Sequence, residues 1–280
     1  MKNFELAWLI RRHAVEMTHL SGGSHLASIL SAADILGTLY TDILIFDPKN
    51  PKWEGRDYFI LSKGHAGAGL YAALAESGFF DKKILLTHYK NGSILSGHVS
   101  HKTVPGVDVS TGSLGHGLSY SVGIAYALKK NNKNNRVFCL LGDGECQEGS
   151  VYEAMILASQ LRLNNLYILI DYNKMQAMGL LDDIISLNPL VDKLNSFGLE
   201  TKSIDGNDCE QIKNTIASLK NNCKPHALIC NTIKGKGISF MEMNLLWHYR
   251  YPHDGEEYES AISELEKQRP NGVEDPYAKK

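Results

Sequence analysis

The sequence has no C-x-x-C pair, and its five cysteines (Cys139, Cys146, Cys209, Cys223 and Cys230) are an odd number. A disulfide framework is therefore excluded, and the pattern reads as reduced thiols in a cytoplasmic protein, several of them filling core positions. No H-x-x-x-H pair occurs either, which leaves a zinc site without its usual local signature. No apolar run approaches the length of a membrane span. The N-terminus places Glu5 and Arg11-Arg12 around a short apolar stretch, unlike a secretory signal. Net charge is only −2, with no basic stripe for nucleic acid and no long block of one sign. No internal repeat is present. The nearest thing to low complexity, Asn131-Asn132-Lys133-Asn134-Asn135, reads as a surface loop. No G-x-x-x-x-G-K-[ST] phosphate loop and no G-x-G-x-x-G after a strand occur, so a P-loop and a dinucleotide fingerprint are both excluded.

What remains is a chain of 280 residues, 43% hydrophobic and 21% charged, enough to build a globular core. Its organising stretch is 136–175. Val137 to Leu141 is an apolar run that reads as a buried strand. It ends in Gly142-Asp143-Gly144. Val151, Ala154, Met155, Ala158 and Leu161 then recur at helical spacing. Leu166 to Ile170 is a second strand, ending in Asp171-Tyr172-Asn173. Such a strand–helix–strand unit places two parallel strands in one sheet. Asp143 and Asn173 then lie past strand carboxyl ends, the edge where open α/β sheets bind ligands. A carboxylate, an amide oxygen and a backbone carbonyl are hard oxygen ligands suited to Mg²⁺, which completes its shell from water and phosphates. Gly144, with no Cβ, permits close approach of a diphosphate.

Around this unit, Leu6 to Met17 give an amphipathic helix, and Ile29 to Tyr40 fall on a second helix that Ser24 can cap. Asp57 to Leu61 reads as the first strand, followed by helices through Leu70 and Leu74 and near Leu85. Residues 92–117 form a long glycine-rich connection, of the kind that is usually functional or disordered; Val107 and Val109 favour an ordered site loop. A helix from about Leu118 to Lys129 follows. After Asn173, residues 176–188 are loop-like. A helix through Leu190, Leu194 and Phe197, a strand from Leu199 to Ile204, a helix from Cys209 to Leu219 and a strand from His226 to Thr232 come next. The tail carries Trp247, His248, Pro252 and a polar helix over 260–267. Strands and helices alternate, so the fold class is α/β, a mostly parallel sheet flanked by helices. One domain over 1–280 is expected, with residues from about 238 as a C-terminal extension.

Eleven histidines are present, and most histidines are structural or solvated. Four stand in glycine-rich or boundary contexts: Ser21-Gly22-Gly23-Ser24-His25, Ser62-Lys63-Gly64-His65, Gly97-His98 and Trp247-His248. A lone Gly-Asp-Gly is most often a turn. Followed by Asn173 thirty positions on and then Lys174-Met175-Gln176, it resembles the thiamine-diphosphate motif in its transketolase version. Arg56-Asp57-Tyr58-Phe59-Ile60-Leu61-Ser62-Lys63-Gly64-His65 is similar to that family's RDRF-x-LS-x-GH. Pro105 to Gly117 is similar to its PGV-(E/D)-x-(S/T)-TG-(P/S)-LG-(Q/H)-G, and Thr232 to Gly237 with Trp247-His248 to its final segment. One departure stands out: the family usually reads Gly-His-Pro-Gly where this chain has Ser24-His25-Leu26-Ala27. The resemblance covers residues from about 15 to 250.

The resemblance implies the thiamine-diphosphate-binding fold and its diphosphate-binding domain. It implies that Asp143, Asn173 and the Met175 carbonyl hold Mg²⁺, and that His65, His248 and the Gly144 backbone contact the diphosphate. It places the Gly112 carbonyl and the Leu114 side chain against the aminopyrimidine and thiazolium rings, and His25 and His98 as the catalytic pair at the hydroxyls of a ketose (phosphate) donor. Glu148 and Glu153 fall on its subunit-contact helix. The family's two further domains do not follow, and with them the glutamate that activates the cofactor and most contacts to sugar phosphate. The resemblance is thus to the N-terminal subunit of a split transketolase, which needs a C-terminal partner subunit carrying the pyrimidine-binding and C-terminal domains. Self-association through a central dimer would give a heterotetramer. Other readings are a subunit of a dihydroxyacetone synthase, of a 1-deoxyxylulose-5-phosphate synthase or of a 2-oxo-acid dehydrogenase, or a non-catalytic cofactor-binding subunit.

Overall fold

The computed structural model describes residues 1–219 and 222–278. Among them five strands form a single parallel sheet, in the order β1-β2-β3-β5-β4. They are β1 Tyr58–Leu61, β2 Val137–Gly142, β3 Leu166–Tyr172, β4 Glu200–Asp205 and β5 His226–Asn231. All six residues of β2 are buried, as a parallel strand covered on both faces requires. The register pairs Phe138 with Tyr167, and Gly142 with Asp171. Alternate residues feed two cores. Phe59, Leu61, Phe138, Leu140 and Leu228 face one side, while Ile60, Cys139, Leu141, Ile168 and Ile170 face the other.

The first core is roofed by α1 Asn3–Ser21, α2 Leu26–Thr38, α3 Gly67–Glu76 and α8 Cys209–Ser218. The second lies under α4 His116–Lys130, α5 Gly149–Gln160 and α7 Leu190–Ser196. A single turn, α6 Leu181–Ile184, precedes α7. The last helix, α9 Glu256–Lys267, docks on α1: Trp8 Nε1 donates to the Leu265 carbonyl at 2.8 Å, and Ala261 and Leu265 are fully buried. Every residue of α2 is buried, because other elements cover it on all sides. With the wound turn Leu39–Ile43 that continues it, this stretch of 18 residues is long and apolar enough to cross a membrane by composition. It is 83% buried within the protein, as a core helix is.

The structure differs from the sequence expectation at three places. Ser24 does not cap α2; His25 holds that position in a left-handed turn, φ 68°, and makes no side-chain cap bond. The polar ring is turned among other histidines instead. Residues 176–188 are not all loop: Met175 bridges Leu180, and α6 follows. The helix expected from about Leu118 begins at His116, after a left-handed Gly115. The 92–117 connection is an ordered loop, pinned by buried Leu95, Val99, Val104 and Val107. All five cysteines are free; four are buried and Cys223 is exposed.

Sequence order along the sheet runs β1 to β3 in one direction. The chain then jumps to the far edge for β4 and returns with β5 beside β3. A crevice opens at such a switch point, beyond the carboxyl ends of the strands.

Candidate active site

That crevice is a cavity of about 390 Å³. Four strands deliver residues to it: Lys63 and His65 after β1, Asp143 and Gly144 after β2, Asn173 and Met175 after β3, and Lys234 after β5. The 92–117 loop brings His98, Gly112 and Leu114, the α2 start brings His25, and the chain before α9 brings His248. All ten residues singled out in the sequence (His25, His65, His98, Gly112, Leu114, Asp143, Gly144, Asn173, Met175 and His248) therefore line one cavity. A wider concavity of about 620 Å³ lies at the opposite edge of the sheet, before β2 and β3. Its cations are already engaged: Lys129 by the Leu161 and Arg162 carbonyls, Lys133 by Glu54 and Arg136 by Asp57. Nothing converges there.

Asp143 is buried. Its Oδ1 accepts the Gly144 N–H at 2.7 Å, and its Oδ2 the Lys174 N–H at 2.5 Å. Among the described residues no lysine, arginine or histidine forms an ion pair with it. Burial, and next the Asp171 charge, push its carboxyl up to about 6. Asn173 donates its amide to Asp171 Oδ2 at 3.3 Å, and its Oδ1 accepts the Met175 N–H at 3.2 Å. The Met175 carbonyl accepts from Lys234 Nζ at 2.8 Å, which leaves it one lone pair.

Lys234 is the complementary case. It is 2% exposed, and besides the Met175 carbonyl its ammonium hydrogen-bonds, among the described residues, only His248 Nδ1, at 2.9 Å. No carboxylate forms an ion pair with it among the described residues. Burial and the nearby Lys63 push its ammonium down to about 8. The cavity thus holds a buried anion and a buried cation that are not paired with each other. A divalent cation at Asp143 and an oxyanion at Lys234 would relieve both, and a metal–diphosphate carries the two together. Among the described residues no cluster of three His, Cys, Asp or Glu side chains suits a metal. The oxygen set of Asp143, Asn173 and the Met175 carbonyl is the harder kind that Mg²⁺ takes.

Three of the four histidines are held neutral. His25 is lowered to about 4 by burial and by His98; His248 to about 3 by burial and by Lys234; His65 lies well below its usual range through burial and Lys63. The His25 ring centroid lies 5.0 Å from that of His65, 6.3 Å from His98 and 5.3 Å from His248. The His25 N–H donates to the His248 carbonyl at 3.1 Å, joining the start of α2 to the late segment. His65 Nε2 bonds Ser28 Oγ at 3.0 Å. At Gly112 a Cβ would stand 3.1 Å from the His98 ring, which would have to shift by a few tenths of an ångström. At Gly144 a Cβ would press on the Gln176 side chain at 3.0 Å.

Sequence reasoning did not assign Ser28, Lys63, Glu145, Gln176, Lys234 or Tyr249 to the site, yet all line the cavity. Lys63 forms a fully buried pair with Asp171, which is not part of the lining. Lys63 Nζ also donates to the Ser28 carbonyl at 3.0 Å, and Asp171 accepts from Ser31, Thr232 and Asn173. Glu145 clamps three loops, accepting from Ser62 Oγ at 2.5 Å, the Gly115 N–H at 2.9 Å and the Gly142 N–H at 3.1 Å. The signal available beforehand was the position of Lys63 and Lys234, each just past an apolar strand run.

Residues 3–248 match the family described as transketolase, thiamine diphosphate binding domain. The chain belongs to the transketolase family. The transketolase domain it matches is the one that binds thiamine diphosphate. The chain is 44% identical over 258 residues to one subunit of the apulose-4-phosphate transketolase of Actinobacillus succinogenes, covering 91% of this chain and 93% of that protein. It is 40% identical to a 6-deoxy-6-sulfo-D-fructose transketolase subunit of a Clostridium strain, covering 93% and 94% respectively. The crystal structure of Campylobacter jejuni transketolase superposes with a TM-score of 0.88 at 31% identity. The match covers 98% of this chain but 43% of that one. The transketolase fold is therefore shared, while the chain spans less than half the length of that enzyme.

Proposed function

We propose that this chain is the N-terminal subunit of a split transketolase. With a C-terminal partner subunit it transfers a two-carbon ketol unit from a ketose phosphate to an aldose. The observation that carries this reading is the unpaired Asp143 and Lys234 at the carboxyl edge of the sheet, in a chain as long as the relatives that are themselves transketolase subunits. Asp143, Asn173 and the Met175 carbonyl would hold Mg²⁺. Lys234, His65, His248 and the Gly144 backbone would contact the diphosphate, with Gly112 and Leu114 against the rings. Thiamine diphosphate, when bound, supplies an electron sink. The chain's own part is to orient it, neutralise the diphosphate and move protons. His25 and His98 are the groups that move them. His25 is neutral near pH 7 and offers a lone pair to a donor hydroxyl.

The partner would cover the open side of the cavity. The α4–α5 face supports a subunit contact: Tyr120 and Tyr126 of α4 and Ile156 and Leu157 of α5 are all exposed, with Glu148 and Glu153 beside them. A central dimer through this face, with two partner subunits, gives a heterotetramer. We take 1–280 as one domain with an extension from about 238; burial of Ala261 and Leu265 in the same core as α1 supports this. Free cysteines support a reducing cytoplasm.

The test uses the chain assembled with its partner, thiamine diphosphate and Mg²⁺. Xylulose 5-phosphate or pyruvate is offered as donor and ribose 5-phosphate or glyceraldehyde 3-phosphate as acceptor. Two-carbon transfer from the ketose is expected. Consumption of pyruvate instead would assign the chain to the 1-deoxyxylulose-5-phosphate synthase or 2-oxo-acid dehydrogenase type, and no turnover with intact cofactor binding would assign it to a non-catalytic subunit.

A further inference from the structure

A second, smaller cavity of about 40 Å³ shares His25, His65 and His98 with the first. His88 and Tyr89 are among its other walls. His88 is 4% exposed. Its Nδ1 lies 3.3 Å from Ser21 Oγ, and that hydroxyl donates its own proton to the Met17 carbonyl at 2.6 Å. Ser21 can therefore only accept from the ring. His88 is neutral at pH 7, because burial lowers it to about 4. Its single proton sits on Nδ1, and Nε2 is left as a bare acceptor. That Nε2 is buried and has no partner among the described residues, and the same is true of Nδ1 of His25, a residue that also lines this cavity. Buried polar atoms of this kind almost always have a partner, ordered water included. Roughly 10–15 Å³ is enough for one water, so the space suits one or two O–H groups.

We propose that this cavity is a hydroxyl subsite of the donor pocket, in which an O–H group donates to His88 Nε2, and that His88 determines donor specificity. The proposal rests on the reading of the main cavity as a ketose site. Water and a sugar hydroxyl share the required chemistry. Water fills the subsite in the sugar-free protein, and a hydroxyl or hydroxymethyl group of the donor displaces it. A donor that fails to reach the subsite, or lacks the hydroxyl, leaves Nε2 unpaired or keeps the water. Sites built to bond a hydroxyl discriminate strongly on this basis.

The test uses the assembled enzyme with xylulose 5-phosphate, fructose 6-phosphate and apulose 4-phosphate as donors. His88→Phe removes the acceptor and fills the space. KM for the best wild-type donor should rise about tenfold, with thiamine diphosphate affinity by calorimetry unchanged. His88→Gln, which keeps an acceptor, should recover most of the loss. Ser21→Ala, which frees the ring, should raise KM less, and it serves if His88→Phe does not fold. Crystals without sugar should show a water about 3 Å from His88 Nε2, and crystals with donor should show a sugar oxygen in its place. Unchanged KM for all three donors in His88→Phe, or a water that stays when donor binds, overturns the proposal. Failure of the wild type to transfer from any ketose counts instead against the functional reading.

Discussion

Asp143 sits in the least comfortable surroundings of any acid in the cavity. It is buried beside a second carboxylate, and among the described residues its hydrogen bonds come from backbone N–H groups alone. Its carboxyl must lose a proton to take a cation. With its pKa raised to about 6, Mg²⁺ affinity of the assembled protein should be full above that pH and fall as pH drops through it. An ordinary Asp would hold the metal down to about pH 4. The sign for the metal-free fold is opposite. Between 3.8 and about 6 the folded chain binds the extra proton, so at this group stability declines as pH rises across that window. Calorimetry with Mg²⁺ and thiamine diphosphate from pH 5 to 7.5 checks this; flat affinity would remove Asp143 from the metal site. Asp143→Ala should cost more affinity than Asn173→Ala, since it deletes the charged ligand. His25→Ala and His98→Ala should leave cofactor binding intact and slow turnover by roughly 10²-fold, read by steady-state kinetics on the cofactor-saturated enzyme. Asp143, Asn173 and the four histidines were legible in the sequence because turn glycines and strand ends mark them. Lys234 and His88 were not. A lysine after a strand reads as a solvated charge, and an unpartnered ring nitrogen exists only once the loops are packed.

The floor of the site is one buried network of several elements. Lys63 follows β1 and Asp171 ends β3. Ser28 and Ser31 come from α2, and Thr232 follows β5. Breaking a buried pair leaves a charge stranded, so Asp171→Ala should lower stability by about 3–5 kcal/mol in urea unfolding. The double variant Lys63→Met with Asp171→Leu should recover a good part of it. If Asp171→Ala costs no more than a surface substitution, the network is not what joins these elements. The α4–α5 face is a separate matter. Ile156→Glu should leave the fold intact and reduce the mass of the assembly in sedimentation, because exposed apolar anchors dominate such contacts. Helices and strands were largely legible from their periodicity. The His25 turn was not, since a non-glycine residue at φ 68° carries no sequence signature that separates it from a Ser24 cap.

At the scale of the molecule, five parallel strands and their two helical layers build one open edge, and the cavity there is lined from this chain on the diphosphate side. Of the two glutamates that line it, Glu148 is exposed. Glu145, the buried glutamate at the edge, is fully committed to Ser62, Gly115 and Gly142. The exposed α4–α5 face supports the reading in which a partner completes the active site. Two-carbon transfer from xylulose 5-phosphate to ribose 5-phosphate by the pure chain decides whether it does. Cofactor and Mg²⁺ are in excess, and mass spectrometry shows no second protein. The expected result is no transfer by the chain alone, transfer once the partner is added, and a higher melting temperature of the chain in that mixture. Robust turnover by the isolated chain would contradict it.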